Sequence, residues 1–102
     1  MIISGGENVY CAEVENALAS HAEILDAAVY GRADEKWGEV PVAAVVLRPG
    51  STLDLDALRT FLDAHLARFK QPKAVVVLDV LPRNAGGKVI KSILRDRDPG
   101  SC

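Results

Sequence analysis

An uninterrupted apolar run, Val40–Leu47 (VPVAAVVL), limits the folds open to this chain. Its valines favour a β-strand, and residues 43–47 are apolar at odd and even positions alike. Because successive side chains of a strand point to opposite faces of a sheet, both faces of this strand are apolar. The run is therefore predicted to form the central strand of a sheet.

Two further segments have the composition of strands, namely Asp26–Tyr30 (DAAVY) before the central run and Ala74–Val80 (AVVVLDV) after it. Polar residues 31–39 are predicted to form the loop between the first of these and the central strand. The chain opens with the apolar piece Met1–Ile3, a Ser4-Gly5-Gly6 turn and a second short extended piece. This opening predicts a small hairpin.

Three segments have helical periodicity, and Asp54 is placed to cap the second of them. Their apolar positions are Val14, Ala17 and Leu18 in the first, Leu55, Leu58, Leu62, Leu66 and Phe69 in the second, and Ile90, Ile93 and Leu94 in the third. The helix before Ala74 is a crossover, which allows the last strand to lie parallel to a neighbour. The prediction is an α+β fold, with a mostly three-stranded sheet, helices packed on it and an N-terminal β-hairpin.

The length of 102 residues suits one small domain, residues 1–102. Hydrophobic residues make up 49% and charged residues 25%, which disfavours intrinsic disorder. The two cysteines, Cys11 and Cys102, exclude a disulfide scaffold and a CxxC zinc site, and favour a reducing, cytoplasmic compartment. No apolar run approaches the roughly 20 residues of a membrane span, and the start lacks the basic region of a signal peptide.

Positive charge is concentrated in residues 68–97, where eight basic side chains accompany two acidic ones. The whole chain has a net charge of −2, so this segment favours a surface that meets phosphate groups. A solvated surface without a ligand explains the same charges equally well. Nucleic acid is disfavoured as a partner because Phe69 is the one aromatic residue of the segment and no stacking platform is evident.

Two motifs have both a functional and a structural interpretation. Gly86-Gly87-Lys88 is not a Walker phosphate loop, because Pro82 replaces the first glycine and Val89 replaces the hydroxyl residue. It leaves a lysine on a glycine loop, either a cation for an anionic group or an ordinary exposed side chain. Trp37 lies among charged residues, so an interfacial or base-stacking role stands open beside the usual core role of a tryptophan. No catalytic triad, carboxylate pair or metal-ligand cluster is recognisable.

The stretches MIISGGENVYCAEVE and LPRNAGGKVIKSILR change this interpretation. They resemble the motifs that open and close the C-terminal domain of adenylate-forming enzymes. The FKQPK turn and the distance between the motifs fit as well. Within that superfamily the chain looks most like acyl-CoA and aryl-CoA synthetases.

The resemblance implies a two-step ligase that uses ATP, a carboxylic acid and coenzyme A. The large N-terminal domain, which would bind the acid and hold Mg²⁺ with ATP, is absent from this sequence. The resemblance therefore implies that the chain alone is inactive in the overall reaction. The segment ISGGENVY resembles the corresponding segment of synthetases for fatty or aromatic acids.

The resemblance also assigns roles to single residues. Lys88 matches the adenylation lysine, and Ser4-Gly5-Gly6 matches the turn that lines the pantetheine tunnel. Trp37 matches a position against the adenine of coenzyme A, and Lys73 matches a phosphate contact. Gln71 departs from the arginine or other polar residue usual at its position, which puts a phosphate contact there in doubt.

Two alternative functions remain open at this point. One is the same kind of domain in an enzyme that loads a carrier protein in place of free coenzyme A. The other is a stand-alone binding or regulatory module that lacks catalysis.

Overall fold

The computed structural model describes residues 2–98, so Met1 and Cys102, which figure in the predictions, lie outside the described residues. The side chains of Ser4, Glu7 and Phe69 are not described either. In chain order the elements are β1 (Ile2–Ser4), β2 (Glu7–Val9), α1 (Cys11–Ala19), β3 (Ile24–Asp34), β4 (Gly38–Leu47), α2 (Leu55–Leu62), a 3₁₀ turn (Arg68–Lys70), β5 (Ala74–Val77) and α3 (Lys91–Asp96).

The sheet is organised around β4, as predicted. Along one edge β4 pairs antiparallel with β3, from Gly38 opposite Asp34 to Leu47 opposite Ile24. Along the other edge it pairs first with β1, through Ser4 opposite Gly38, and then in parallel with β5. The predicted three-stranded sheet and N-terminal hairpin are confirmed, and the hairpin joins the same five-stranded sheet.

Both faces of β4 are covered, which explains why its sequence is apolar throughout. Every residue from Val40 to Val46 is buried. One face packs against α1 and α2 in a cluster of buried side chains: Ile2, Val9, Val14, Leu18, Ile24, Val29, Ala43, Val45, Leu58 and Leu62. The other face packs against α3 and the segment before it, in a second buried cluster: Ala28, Tyr30, Val42, Ala44, Val46, Leu81 and Leu94.

The predicted loop at residues 31–39 is wrong in its extent, because β3 and β4 continue into a hairpin with a turn at residues 35–37. Main-chain bonds between the strands do not depend on the polar side chains that suggested a loop. The Asp34 side chain closes the turn, since its Oδ1 accepts from the amides of Lys36 and Trp37 at 2.9 Å each. Trp37, a predicted site residue, therefore lies in the turn at the tip of this hairpin.

The second helix is shorter than its apolar stripe suggests. Its predicted cap is confirmed, since the Asp54 carboxylate accepts from the Ala57 amide at 2.7 Å. The helix ends at Leu62, and the buried Gln71 amide donates to Asp63 Oδ1 at 2.9 Å and to the Leu66 carbonyl at 3.2 Å. These bonds hold the chain after the helix in turns.

The last predicted strand, Ala74–Val80, is also shorter in the structure and ends at residue 77.

The C-terminal end of the described chain is anchored to β3. Asp98 is 7% exposed, and its carboxylate accepts from the Tyr30 hydroxyl at 2.6 Å and pairs with the Arg32 guanidinium at 2.6 Å. Burial, followed by the Asp98 hydrogen bond, raises the pKa of the Tyr30 hydroxyl above its ordinary value. The hydrogen bonds that Arg32 donates to Asp98 raise the pKa of Arg32. Both shifts keep Tyr30 neutral and Arg32 charged at neutral pH.

Candidate functional site

Lys88 ends a loop whose shape is fixed by Asn84. The Asn84 side-chain oxygen accepts from the amides of Gly86 at 2.9 Å and Lys88 at 3.1 Å. Backbone bonds from Gly87 to the Asn84 carbonyl and from Asn84 to the Lys88 carbonyl close the turn. Gly87 has a φ of +84°, a conformation that side chains rarely adopt. The loop is thus a defined turn.

The Lys88 side chain is exposed. No ion pair within residues 2–98 includes its ammonium group. A cation presented in this way is available to an anion supplied from outside the domain, because no carboxylate of the described chain neutralises it.

The basic segment 68–97 serves the fold as well as the surface. Within the described chain, ion pairs occupy four of its eight cations, namely Arg68, Lys70, Arg83 and Lys91. Over that same range no ion pair includes the other four, which are Lys73, Lys88, Arg95 and Arg97. The surface available to phosphate groups is therefore smaller than the charge count suggested.

Trp37 and the glycine turn between β1 and β2 are in direct contact. The Gly5 amide donates to the Trp37 carbonyl at 2.8 Å. A Cβ added at Gly5 would lie 2.5 Å from Trp37 Cε3, and Gly5 has a φ of +59°. Glycine is required there both by the backbone conformation and by the indole ring. The ring is still 44% exposed, and the Lys36 ammonium lies 4.9 Å from its centroid.

Gly6 and Lys73 lie near the same end of β4. A Cβ added at Gly6 would meet nothing within 4 Å, so the turn presents open backbone on that side. The exposed Lys73 is anchored by its amide, which donates to the Pro41 carbonyl at 2.8 Å. Pro41 is three residues from Gly38, about 10 Å along the strand. The structure thus groups the predicted residues Ser4-Gly5-Gly6, Trp37 and Lys73, which we call the hairpin cluster.

Lys88 lies far from the hairpin cluster. Arg83, at the start of its loop, forms an ion pair with Asp26, and Asp26 is opposite Val46 in the sheet. Val46 is eight residues along β4 from Gly38, a separation of about 27 Å in an extended strand. The predicted site residues therefore form two separate surfaces near opposite ends of the β3–β4 hairpin.

Gln71 belongs to neither surface. It is 2% exposed and directed into the fold, so the doubt about a phosphate contact at this position is justified. Sequence analysis missed Asn84 and Arg83, the residues that shape and anchor the Lys88 loop. Asn84 carries a recognisable signal, since asparagine two residues before a glycine is typical of a side-chain-closed turn.

Within residues 2–98, no group of three or more His, Cys, Asp or Glu side chains is arranged to hold a metal ion. In that same part of the chain, no helix has the length and apolar character needed to cross a membrane.

Comparison with known proteins gives consistent matches along the chain. Residues 13–88 match the family described as AMP-binding enzyme C-terminal domain. The chain is 55% identical over 95 residues to the indoleacetate–CoA ligase of Aromatoleum aromaticum, and 45% identical over 101 residues to the 2-succinylbenzoate–CoA ligase of a Geobacillus species. These alignments cover 93% and 99% of this chain but 19% and 20% of the two ligases.

Solved structures show the same relationship. A fatty acyl CoA synthetase of Mycobacterium tuberculosis superposes with a TM-score of 0.88 at 41% identity, over 96% of this chain and 19% of that one. The o-succinylbenzoate CoA synthetase of Bacillus subtilis superposes with a TM-score of 0.87 at 47% identity, over 94% of this chain and 20% of that one. The chain thus spans about a fifth of the length of the relatives it matches.

Proposed function

Since this chain belongs to the AMP-binding enzyme C-terminal domain family, we propose that it is the C-terminal domain of an AMP-forming acyl-CoA synthetase. In the first step the carboxylate of an acid attacks the α-phosphorus of ATP, which gives an acyl-adenylate and diphosphate. In the second step the thiol of coenzyme A attacks the acyl carbon and AMP leaves. The observation that carries the proposal is the pair of separate surfaces, the Lys88 loop and the hairpin cluster, on one small domain.

The partner of this domain is a large N-terminal domain in the same polypeptide, which together with it forms the full-length ligase. Two surfaces near opposite ends of the β3–β4 hairpin suit a domain that rotates between the steps and presents one surface at a time. The large domain binds the carboxylic acid and ATP with its Mg²⁺. The acid is fatty or aromatic, in line with the names of the relatives, and the location is cytoplasmic.

In the first step Lys88 acts by position and charge. Its ammonium group bridges the substrate carboxylate and the oxygens of ATP as negative charge accumulates between them. No proton transfer is required of it. The exposed Lys88 becomes desolvated only when the domain closes on the large domain, which strengthens the electrostatic interaction at the moment of reaction.

In the second step the hairpin cluster binds coenzyme A. The open backbone at Gly6, within the Ser4-Gly5-Gly6 turn, leaves room for the pantetheine arm. The exposed face of Trp37 stacks on the adenine, and the Lys73 ammonium contacts a phosphate group. These three contacts account for the grouping of the predicted residues at one end of the sheet.

The proposal is tested by assaying the full-length ligase with a panel of fatty and aromatic acids. We expect AMP and diphosphate to be released in equal amounts, with acyl-CoA formed when free coenzyme A is the acceptor. A phosphopantetheinylated carrier protein, assayed in parallel, is expected to be a poor acceptor. Preferential loading of the carrier protein would contradict coenzyme A as the acceptor, and the absence of acid-dependent AMP release would contradict ligase activity.

Replacing Trp37 by alanine is expected to raise the KM for coenzyme A roughly tenfold, since stacking of a base on an aromatic ring is worth about 1–3 kcal/mol. Acid-dependent exchange between ATP and diphosphate is expected to be unchanged, because it reports the first step only. Tyr10→Ala is the matched control, since Tyr10 is 55% exposed and lies beyond the other end of the β1–β2 hairpin. An unchanged KM in Trp37→Ala would leave Trp37 with a packing role against Gly5.

A further inference from the structure

The side chain of Arg83 connects the Lys88 loop to the sheet. Its Nη1 donates to the Gly87 carbonyl at 2.7 Å, and its Nη2 pairs with the carboxylate of Asp26 in β3. The Gly87 carbonyl belongs to the peptide whose nitrogen is that of Lys88. A single guanidinium group therefore joins the backbone next to Lys88 to a strand 57 residues earlier in the chain.

We propose that Arg83 is a positioning residue, which fixes the Lys88 backbone relative to the sheet for the first step. This inference rests on the proposed role of Lys88 as the adenylation lysine. The bonds made by Asn84 set the internal shape of the loop, but they lie within the loop. Arg83 differs because it ties that loop to β3, an element paired along its length with the central strand.

The ion pair between Arg83 and Asp26 is expected to contribute little to stability but much to the rate of the first step. The side chains of Arg83 and Asp26 are 40% and 35% exposed, and ion pairs with such exposure contribute about 0–1 kcal/mol to stability. Loss of Arg83 therefore leaves the domain folded. The loop, whose internal shape Asn84 maintains, can then shift as a unit relative to β3. A misplacement of about 1 Å in a reacting group can lower a rate roughly a hundredfold.

The test compares Arg83→Met with Asp26→Asn in the full-length ligase. We expect Arg83→Met to lower the kcat of acyl-adenylate formation by roughly 10- to 100-fold, with less effect on the KM for ATP. Asp26→Asn, which keeps an oxygen acceptor, is expected to have a smaller effect in the same direction. Formation of acyl-CoA from preformed acyl-adenylate is expected to be unchanged, which also verifies that each variant is folded.

The decisive measurement combines Arg83→Met with Lys88→Ala. If Arg83 acts through Lys88, the double variant should form acyl-adenylate no more slowly than Lys88→Ala alone, because coupled residues are not additive. Arg48→Met is the matched control. The exposed Arg48 also donates to a backbone carbonyl, that of Ala22 at 3.0 Å and not one of the Lys88 loop, so its replacement should leave both steps unchanged.

The outcomes separate this inference from the proposed function. Suppose first that Lys88→Ala slows the first step selectively, so that the proposed function stands. The positioning role is then overturned if Arg83→Met slows neither step or slows both steps equally. It is also overturned if Arg83→Met slows the first step by the same factor whether or not Lys88 is present. If Lys88→Ala itself is not selective for the first step, the proposed function fails and the positioning role fails with it. If Arg83→Met slows only acyl-adenylate formation, and has no further effect when Lys88 is already alanine, the result supports both the proposed function and the positioning role.

Discussion

Replacing Lys88 by alanine in the full-length ligase is expected to slow acyl-adenylate formation by roughly 10²- to 10³-fold, the usual effect of removing one group that stabilises developing charge. Formation of acyl-CoA from preformed acyl-adenylate is expected to proceed at close to the normal rate. The two half-reactions are measured separately, the first by exchange between ATP and diphosphate and the second by consumption of added acyl-adenylate with coenzyme A.

The selectivity follows from where Lys88 lies. Its side chain is exposed and, within residues 2–98, no ion pair includes it, so its removal creates no cavity and orphans no charge in that range. Surface substitutions of this kind change stability by no more than about 0.5 kcal/mol. The loss of rate is therefore a loss of electrostatic stabilisation. The hairpin cluster lies toward the other end of β4 and is unaffected.

Lys73→Ala is the matched control, because it removes an exposed lysine from the other surface. It is expected to leave exchange between ATP and diphosphate unchanged and to raise the KM for coenzyme A. Equal losses in both half-reactions of Lys88→Ala would contradict the adenylation role. A loss confined to the second step would assign Lys88 to coenzyme A instead.

The sheet could be predicted from sequence because the signal lies in local composition. Val40–Leu47 is apolar at every position, and both of its faces are buried against helices or loops. The cap at Asp54 could be predicted for the same reason, since the donor it accepts from is three residues away. Features determined by near neighbours in the sequence were therefore found.

Features determined by distant partners were not found. Strands β3 and β4 extend through polar residues because each supplies the other with main-chain bonds, a property of the pair and not of either segment. The second helix ends at Leu62, and the turns that follow it are bonded by Gln71, nine residues beyond Leu62. Periodicity records which face of a helix is apolar, but it does not record where a tertiary contact ends the helix.

For the candidate site too, some features could be predicted from the sequence and others could not. The types of residue at Lys88 and in the glycine turn, and their resemblance to a family, could be recognised in the sequence. Their arrangement could not, because the contacts that create it join distant segments. The ring of Trp37 packs on Gly5, and Arg83 pairs with Asp26 across 57 residues. Charge counting also overstated the basic surface, since it could not reveal that Arg83 and Lys91 form ion pairs within the domain.

Replacing Asp98 by alanine is expected to lower the free energy of unfolding of the 102-residue chain by about 3 kcal/mol, since removing one partner of a buried ion pair leaves the other uncompensated. The side chain of Asp98 is 2% exposed and that of its partner Arg32 is 22% exposed. The Tyr30 hydroxyl loses its acceptor as well. Out of a total stability of about 5–15 kcal/mol this is a large fraction, and it is measurable by urea unfolding.

Asp96→Ala is the matched control for this experiment. Asp96 is exposed in the last turn of α3 and has no ion pair within the described part of the chain. A negative charge near the C-terminal end of a helix is slightly unfavourable, so its removal should leave the urea midpoint unchanged or raise it a little. A similar fall in both variants would indicate a general effect of charge and not the loss of the buried pair.

A double variant separates the two components of the Asp98 effect. In Arg32→Met with Asp98→Ala, no guanidinium is left without its carboxylate, and the expected loss of stability is smaller than in Asp98→Ala alone. The loss should still exceed zero, because the buried Tyr30 hydroxyl remains without its acceptor. If the double variant were less stable than Asp98→Ala, Arg32 would stabilise the fold independently of Asp98, and anchorage of α3 to β3 through this pair would be contradicted.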